Sequence, residues 1–281
     1  MATIDANGLR IGYDAEGAGP PLILLHGATS VGARDFRAQL PDLRQAFRCF
    51  LPDARGHGRT RWDTAAGGFD ADWLADDALA FADALELDTF HLIGFSLGAM
   101  TALRVAVRVP SRLRTLVVIG ISVEREPRAS VARRLMDPVR IDRADPAWAA
   151  DLSRRHDPGQ GEGAWRVLLP AMARDVATQA LLTPRQIRTI DAPTLVAVGD
   201  HDPFAPVDHA WRLARSVIDG RLLVLPDAGH DAFSERPTVA TEALGDFYRT
   251  TEAIARRRAT GRPDPDDPND PSHPNRQEAT R

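Results

Sequence analysis

A serine stands among glycines in Gly94-Phe95-Ser96-Leu97-Gly98. The apolar run Phe90–Phe95 leads into it, and a helix-length stretch, Leu97–Val109, leaves it. A serine at the tip of a tight strand-to-helix turn takes a strained backbone, and small neighbours let the chain pass closely there. The helix that follows points free N–H groups and its positive dipole end at the serine. A serine hydroxyl is a weak nucleophile without a base. His230, in Pro226-Asp227-Ala228-Gly229-His230, is the candidate, because it follows the last strand-like run and should leave the sheet at the edge where Ser96 sits. His26 and His57 fall in early turns, His273 lies in the C-terminal segment, and His91, His156, His201 and His209 have no comparable placement. The base needs a carboxylate to fix its tautomer. The loop Gly199-Asp200-His201-Asp202-Pro203 offers Asp200 and Asp202, and either gives the chain order Ser, Asp, His. Early in the chain, His26-Gly27-Ala28 ends another apolar run. The N–H groups of Ala28 and Leu97 would together form an oxyanion hole, worth ~3 kcal/mol per donor.

These side chains require a scaffold that brings distant loops to one edge. Pro21–Leu25, Cys49–Pro52, Phe90–Phe95, Leu113–Ile121, Thr194–Gly199 and Arg221–Leu225 read as buried strands, and Thr3–Asp14 as a hairpin turning at Asn7-Gly8. Helix-length stretches lie between them, near Asp35–Phe47, Asp70–Leu87, Leu97–Val109, Val207–Val217 and Glu235–Tyr248. That alternation predicts an α/β fold with a mostly parallel, doubly wound sheet. Residues 123–188 break the rhythm and read as a small helical insertion; Met136, Trp148, Trp165 and Met172 are the candidates for its substrate-facing side. Residues 261–281 hold five prolines and almost no apolar side chains, so a disordered tail is expected. The expected layout is one domain over 1–260 with the insertion inside it.

Composition narrows the classes. The 281 residues are 43% hydrophobic and 26% charged, ordinary for a globular enzyme, and the formal net charge of -4 gives no electrostatic support for a nucleic-acid partner. Every basic residue is arginine, which removes a catalytic lysine. A single cysteine, Cys49, precludes an internal disulfide and weighs against a cysteine zinc site; in the apolar run Phe47–Leu51 it reads as a buried, inert thiol. Met1–Arg10 lacks a basic stretch followed by a long apolar run, and no segment approaches the ~20 apolar residues of a membrane span. A cytoplasmic protein without membrane association, acting on a small ester-like molecule and needing no metal or organic cofactor, is the expectation. Asp53–Thr60, DARGHGRT, is a glycine-rich loop without the lysine of a phosphate loop, and Asp53 and Arg55 are expected to bond loop backbones.

Together these stretches resemble the α/β-hydrolase superfamily: His26-Gly27, Asp53–Thr60, Gly94–Gly98, Gly199–Pro206 and Ala228–His230, over nearly the whole chain to Tyr248. Asp35–Leu43 and the late loops are similar to the group of valacyclovirase-like hydrolases, enol-lactonases and cofactor-free haloperoxidases. The resemblance implies a helical cap at the 123–188 insertion and a Ser96–Asp202–His230 triad. Related hydrolases usually place the acid three residues after the strand-ending glycine, which favours Asp202 over Asp200; the chain must also clear the strand end before a side chain can swing under the histidine. The implied reaction is hydrolysis of a carboxylic ester, lactone or thioester through an acyl-enzyme. Carbon–carbon hydrolysis, perhydrolysis, or a non-catalytic ligand-binding role on the same fold are its rivals. In valacyclovirase-like enzymes an acidic residue follows the nucleophile and holds the substrate amine. Leu97 stands there, so an apolar acyl or alcohol group is expected instead.

Overall fold

Residues 2–63 and 69–260 are described by the structure, a computed structural model; the proline-rich stretch 261–281 lies outside them. Eight strands form one sheet: β1 (Ala2–Ala6), β2 (Leu9–Glu16), β3 (Pro21–Leu25), β4 (Arg48–Pro52), β5 (Phe90–Phe95), β6 (Leu113–Ile119), β7 (Thr194–Gly199) and β8 (Gly220–Leu225), in the order β1-β2-β4-β3-β5-β6-β7-β8. The β1–β2 hairpin and the β2–β4 pair are antiparallel and every later pairing is parallel. Asn7 and Gly8 both take positive φ, 48° and 71°, the turn that matches the twist of a two-residue hairpin.

The helices are α1 (Leu40–Ala46), α2 (Ala71–Ala84), α3 (Leu97–Arg108), α4 (Arg128–Leu135), α5 (Pro138–Ala144), α6 (Pro146–Gln160), α7 (Trp165–Thr178), α8 (Pro184–Ile187), α9 (Val207–Ser216), α10 (Ala232–Glu235) and α11 (Pro237–Thr260). The sheet and the helices through α10 belong to the unit Met1–Thr241; Glu242 begins a second unit, described as the later part of α11. The central strands are buried on both faces. Ile23, Leu25, Leu92, Leu116, Val118, Val196 and Val198 share a core with residues of α2, α3 and α9, while the alternate residues Leu22, Leu24, Ile93 and Val117 are also buried. Continuous apolar runs are what such two-sided burial demands.

Two expected elements are shorter than their apolar pattern. The helix expected from Asp35 begins at Leu40, because the Asp35 carboxylate is engaged upstream, accepting from the Gly27 N–H at 2.8 Å and the Ser30 hydroxyl. Strand β6 ends at Ile119 rather than Ile121, since Gly120 turns to φ 62°. Between β6 and β7 the chain forms helices α4–α8 and no strand. Gln160, at the end of α6, fastens this region to the 57–62 loop: its amide donates to the Thr60 carbonyl at 2.8 Å and its oxygen accepts from the Trp62 N–H at 3.0 Å.

The loops that matter meet for a topological reason. After β3 the chain crosses to β4 on one side and then returns to place β5 on the other. The carboxyl ends of β3 and β5 therefore open next to each other, the usual place for a crevice in such a sheet.

Candidate active site

Ser96 occupies the turn between β5 and α3 with φ 51° and ψ -108°. A non-glycine residue in that region is strained and persists only where its surroundings hold it. Here the clamp is backbone. A Cβ on Gly94 would lie 2.2 Å from the Gly98 carbonyl oxygen, and a Cβ on Gly98 would lie 2.1 Å from the Leu25 carbonyl oxygen. The Ser96 N–H donates to the Ile119 carbonyl at 2.9 Å, tying the turn to β6 as well.

The structure brings Ser96, His230 and Asp202 together. His230 Nε2 lies 2.9 Å from Ser96 Oγ, and His230 Nδ1 lies 2.9 Å from Asp202 Oδ2. The Asp202 side chain is fully buried, and its Oδ1 accepts the N–H groups of Phe204 at 2.7 Å and Ala205 at 3.2 Å. Those two donors fix the carboxylate with its other oxygen toward the ring. Asp200 is placed elsewhere: it accepts the Ala228 N–H at 3.0 Å, and that bond holds its carboxyl below the usual range. Phe204 and Phe95 pack on the imidazole, with ring centroids 4.3 and 5.1 Å from it.

Ala28 and Leu97 flank the serine, and neither N–H has a hydrogen-bond partner among the described residues. The Ala28 carbonyl is held by His57 Nε2 at 2.9 Å, and Gly98 donates to the His26 carbonyl at 3.1 Å. His26, His57 and His156 stack edge to face behind this loop, at centroid distances of 5.0 and 5.4 Å. Burial keeps all three neutral: it lowers His26, takes His57 to about 4 and His156 to about 2. Their role in holding the Ala28 loop has no local sequence signature, since His156 comes from α6.

Two cavities reach Ser96. The larger, about 330 Å³, is lined by the apolar Phe95, Met136, Trp148 and Phe204 and by the charged Arg34, Asp35, Asp151, Arg155 and Asp231. The smaller, about 30 Å³, lies among Ala28, Leu97, Gly120, Arg128, Met136, Met172 and Phe204. Met136, Trp148 and Met172 thus reach the space beside the serine. Trp165 does not border either cavity. It is wholly buried among Leu152, Leu168 and Leu169, and its indole N–H donates to Ser153 at 3.0 Å, joining α7 to α6. With its ring wholly buried and its N–H satisfied by the half-buried Ser153 hydroxyl, Trp165 belongs to the interior of the helical region. The charged lining was not anticipated; Asp231 directly follows His230, and that adjacency was the available signal.

Arg55 also departs from expectation. Instead of bonding loop backbone it forms a buried two-pronged pair with Asp77, at 2.8 and 2.7 Å, while Asp53 does hold the backbone of Gly32 and Arg59. Burial pushes the Cys49 thiol up to about 12, so it stays protonated. Among the described residues no cluster of three or more His, Cys, Asp or Glu is arranged for a metal ion, and no helix is long and apolar enough to cross a membrane.

The chain matches known proteins over most of its length. A relative from Pseudomonas sp. (strain CF600), a 2-hydroxymuconate semialdehyde hydrolase, is 28% identical over 274 residues, covering 90% of this chain and 95% of its own. A 2-hydroxy-6-oxo-2,4-heptadienoate hydrolase of Pseudomonas putida is 30% identical over 260 residues, covering 86% and 94%. The solved enol-lactonase of Burkholderia xenovorans has the same fold, with a TM-score of 0.71 at 22% identity, covering 88% of this chain and 100% of that one. The sequence model of the alpha/beta hydrolase family matches residues 22–244, and the chain is a member of that family.

Proposed function

We propose that the protein hydrolyses a carboxylic ester, lactone or thioester of a small molecule through an acyl-enzyme. The observation that carries this reading is the unbroken relay from Ser96 Oγ to His230 Nε2 and from His230 Nδ1 to Asp202 Oδ2, each step 2.9 Å. Ser96 attacks the carbonyl carbon while His230 takes its proton. The Ala28 and Leu97 N–H groups receive the oxyanion; the tetrahedral intermediate then collapses as His230 protonates the leaving group. Water, deprotonated by His230, releases the acid. Asp202 keeps the imidazole in the tautomer with its proton on Nδ1. Helices α4–α8 act as a cap, with Met136, Trp148 and Met172 shaping the substrate space.

A second reading is supported by the Pseudomonas relatives. The name of one denotes a substrate with a ketone and no ester, whose hydrolysis breaks a carbon–carbon bond. The same triad serves either bond. Titration with a fluorophosphonate probe, followed by a panel of simple acyl esters set against a vinylogous diketone, separates the readings. Stoichiometric labelling at Ser96 with ester turnover is the expected result. Labelling with diketone turnover alone would shift the assignment to the carbon–carbon bond, and no labelling would remove the serine mechanism and leave a ligand-binding member of the fold.

A further inference from the structure

The two cavities at Ser96 differ in what they touch. The larger, about 330 Å³, borders His230 and Asp231. The smaller, about 30 Å³, borders Leu97, and His230 is not among its walls. Ala28, Ser96, Met136 and Phe204 line both, so the two spaces meet at the nucleophile.

That difference assigns the two halves of an ester. When the tetrahedral intermediate collapses, the new bond from Ser96 Oγ to the carbonyl carbon stays. The bond from that carbon to the leaving oxygen or sulfur breaks, and the leaving atom takes the proton from His230 Nε2. The leaving alcohol or thiol must therefore lie on the histidine side, in the larger cavity. The acyl chain stays on the serine and is left with the smaller one. A water-sized group needs roughly 10–15 Å³ of such space, so this cavity holds about two groups of methyl size. Its far walls are set in packed interior. Ala132 and Met172 are wholly buried and Val176 is 8% exposed. Ala132 and Val176 pack with Ala129, and Met172 belongs to the cluster of Trp165 and Leu168. An interior of that kind does not widen for an extra methylene without strain. Arg128 and Gln179 are the polar walls, and the Gln179 amide is spent on Asp175 at 3.2 Å.

We infer that the enzyme selects acetyl and propionyl esters or thioesters of a larger alcohol or thiol. This rests on the serine-hydrolase reading above and names its substrate class. The carbonyl sits at Ser96, one or two carbons of the acyl chain fill the space among Leu97, Ile121, Ala132 and Met172, and all remaining bulk belongs to the leaving group.

The test uses isomeric esters that divide the same atoms differently about the carbonyl: butyl acetate against ethyl butyrate, and hexyl acetate against ethyl hexanoate. Members of a pair share one formula, so the ratio of their kcat/KM values reports which side of the ester the bulk is on rather than general hydrophobicity. Wild type should favour the acetate at least ~10-fold in each pair, the low end of what one misfitting methylene costs in a closed pocket. Met172→Ala opens the end of the smaller cavity and should lower the butyl acetate to ethyl butyrate ratio at least several-fold, through a gain on ethyl butyrate. Should that variant fail to fold, Val176→Ala removes less buried bulk from the same wall and is read in the same way. A wild type that takes both members of a pair equally, or prefers the longer acyl chain, would overturn the proposal, as would a ratio unmoved in the folded variant. Fluorophosphonate labelling of wild type in the same preparation keeps the two levels apart. Labelled enzyme without acetate preference sinks the division of the ester between the cavities alone, whereas unlabelled enzyme sinks the serine reading beneath it.

Discussion

Ser96 and Asp202 carry the sharpest expectations at the scale of single residues. Ser96→Ala removes one oxygen from a turn held by backbone contacts, so it should fold with an unchanged melting temperature and lose at least ~10³-fold in ester turnover. Retained turnover and labelling would place the nucleophile elsewhere. Asp202→Asn is a subtler change. The asparagine oxygen can still accept from Phe204 and Ala205, which turns the new amide N–H group toward His230 Nδ1. The imidazole must then carry its proton on Nε2, where it cannot accept one from Ser96, and kcat should fall by up to ~10⁴-fold. Asp200→Asn keeps an oxygen for the Ala228 N–H and should leave kcat within a few-fold, with a small drop in melting temperature. Measuring kcat and melting for both variants side by side decides between the two aspartates. An inactive Asp200→Asn beside an active Asp202→Asn would reverse the assignment.

At the scale of elements, the strand–turn–helix unit of β5 and α3 is the part with least tolerance. Its glycines are fixed by neighbouring main chain rather than by flexible side chains, since the Leu25 carbonyl sits where a Gly98 methyl would go. Main chain in the centre of a sheet cannot move away without breaking ladder bonds. Gly98→Ala should therefore cost on the order of 3 kcal/mol and show as a clear drop in thermal or urea midpoint. A near-neutral melt would mean that α3 can slide on β3. The same unit shows why the elbow could be read from sequence: the requirement for small residues acts at fixed offsets from the serine. Helices α4–α8 gave no such signal. Trp148 and Trp165 look alike in the chain, and the packing of α7 on α6, with Leu152 against the ring of Trp165 and Ser153 accepting its N–H, takes only Trp165 fully inward.

For the molecule as a whole, buried histidines set the acid limb of stability. His57 and His91 are taken by burial from 6.5 to about 4, and His26 and His156 are lowered for the same reason. Between pH 6.5 and about 4 the unfolded chain binds protons that the folded chain refuses, so stability falls as pH drops through that window. Asp175, raised by burial to about 6, acts in the opposite sense between about 6 and its ordinary 3.8, because its folded form takes up the proton first. A single group is isolated by comparing wild type with His91→Leu. The stability difference between them should shift by on the order of 3 kcal/mol in favour of the variant between pH 7 and pH 4. Parallel unfolding curves across that range would show that His91 titrates normally in the fold.

What the sequence by itself determined is what local rules can encode. The continuous apolar runs specify strands buried on both faces, Asn7-Gly8 specifies the first hairpin, and the glycines around Ser96 specify the elbow, each within a few residues. Chain order then pointed to His230 as the candidate base and to the Asp200/Asp202 loop for its acid. The tertiary structure decided everything that depends on what distant segments present to one another. It turned Asp202 to the imidazole and Asp200 to the Ala228 N–H, and it stacked His156 of α6 behind the Ala28 loop. It also left two guanidinium nitrogens of Arg128 buried without a hydrogen-bond partner, while giving Arg55 a buried carboxylate in Asp77. Both are arginines in a chain that uses no lysine, and the glycine-rich motif around Arg55 did not reveal that its partner would be a carboxylate. The difference is one of desolvation and pairing, and those are properties of the packed chain alone.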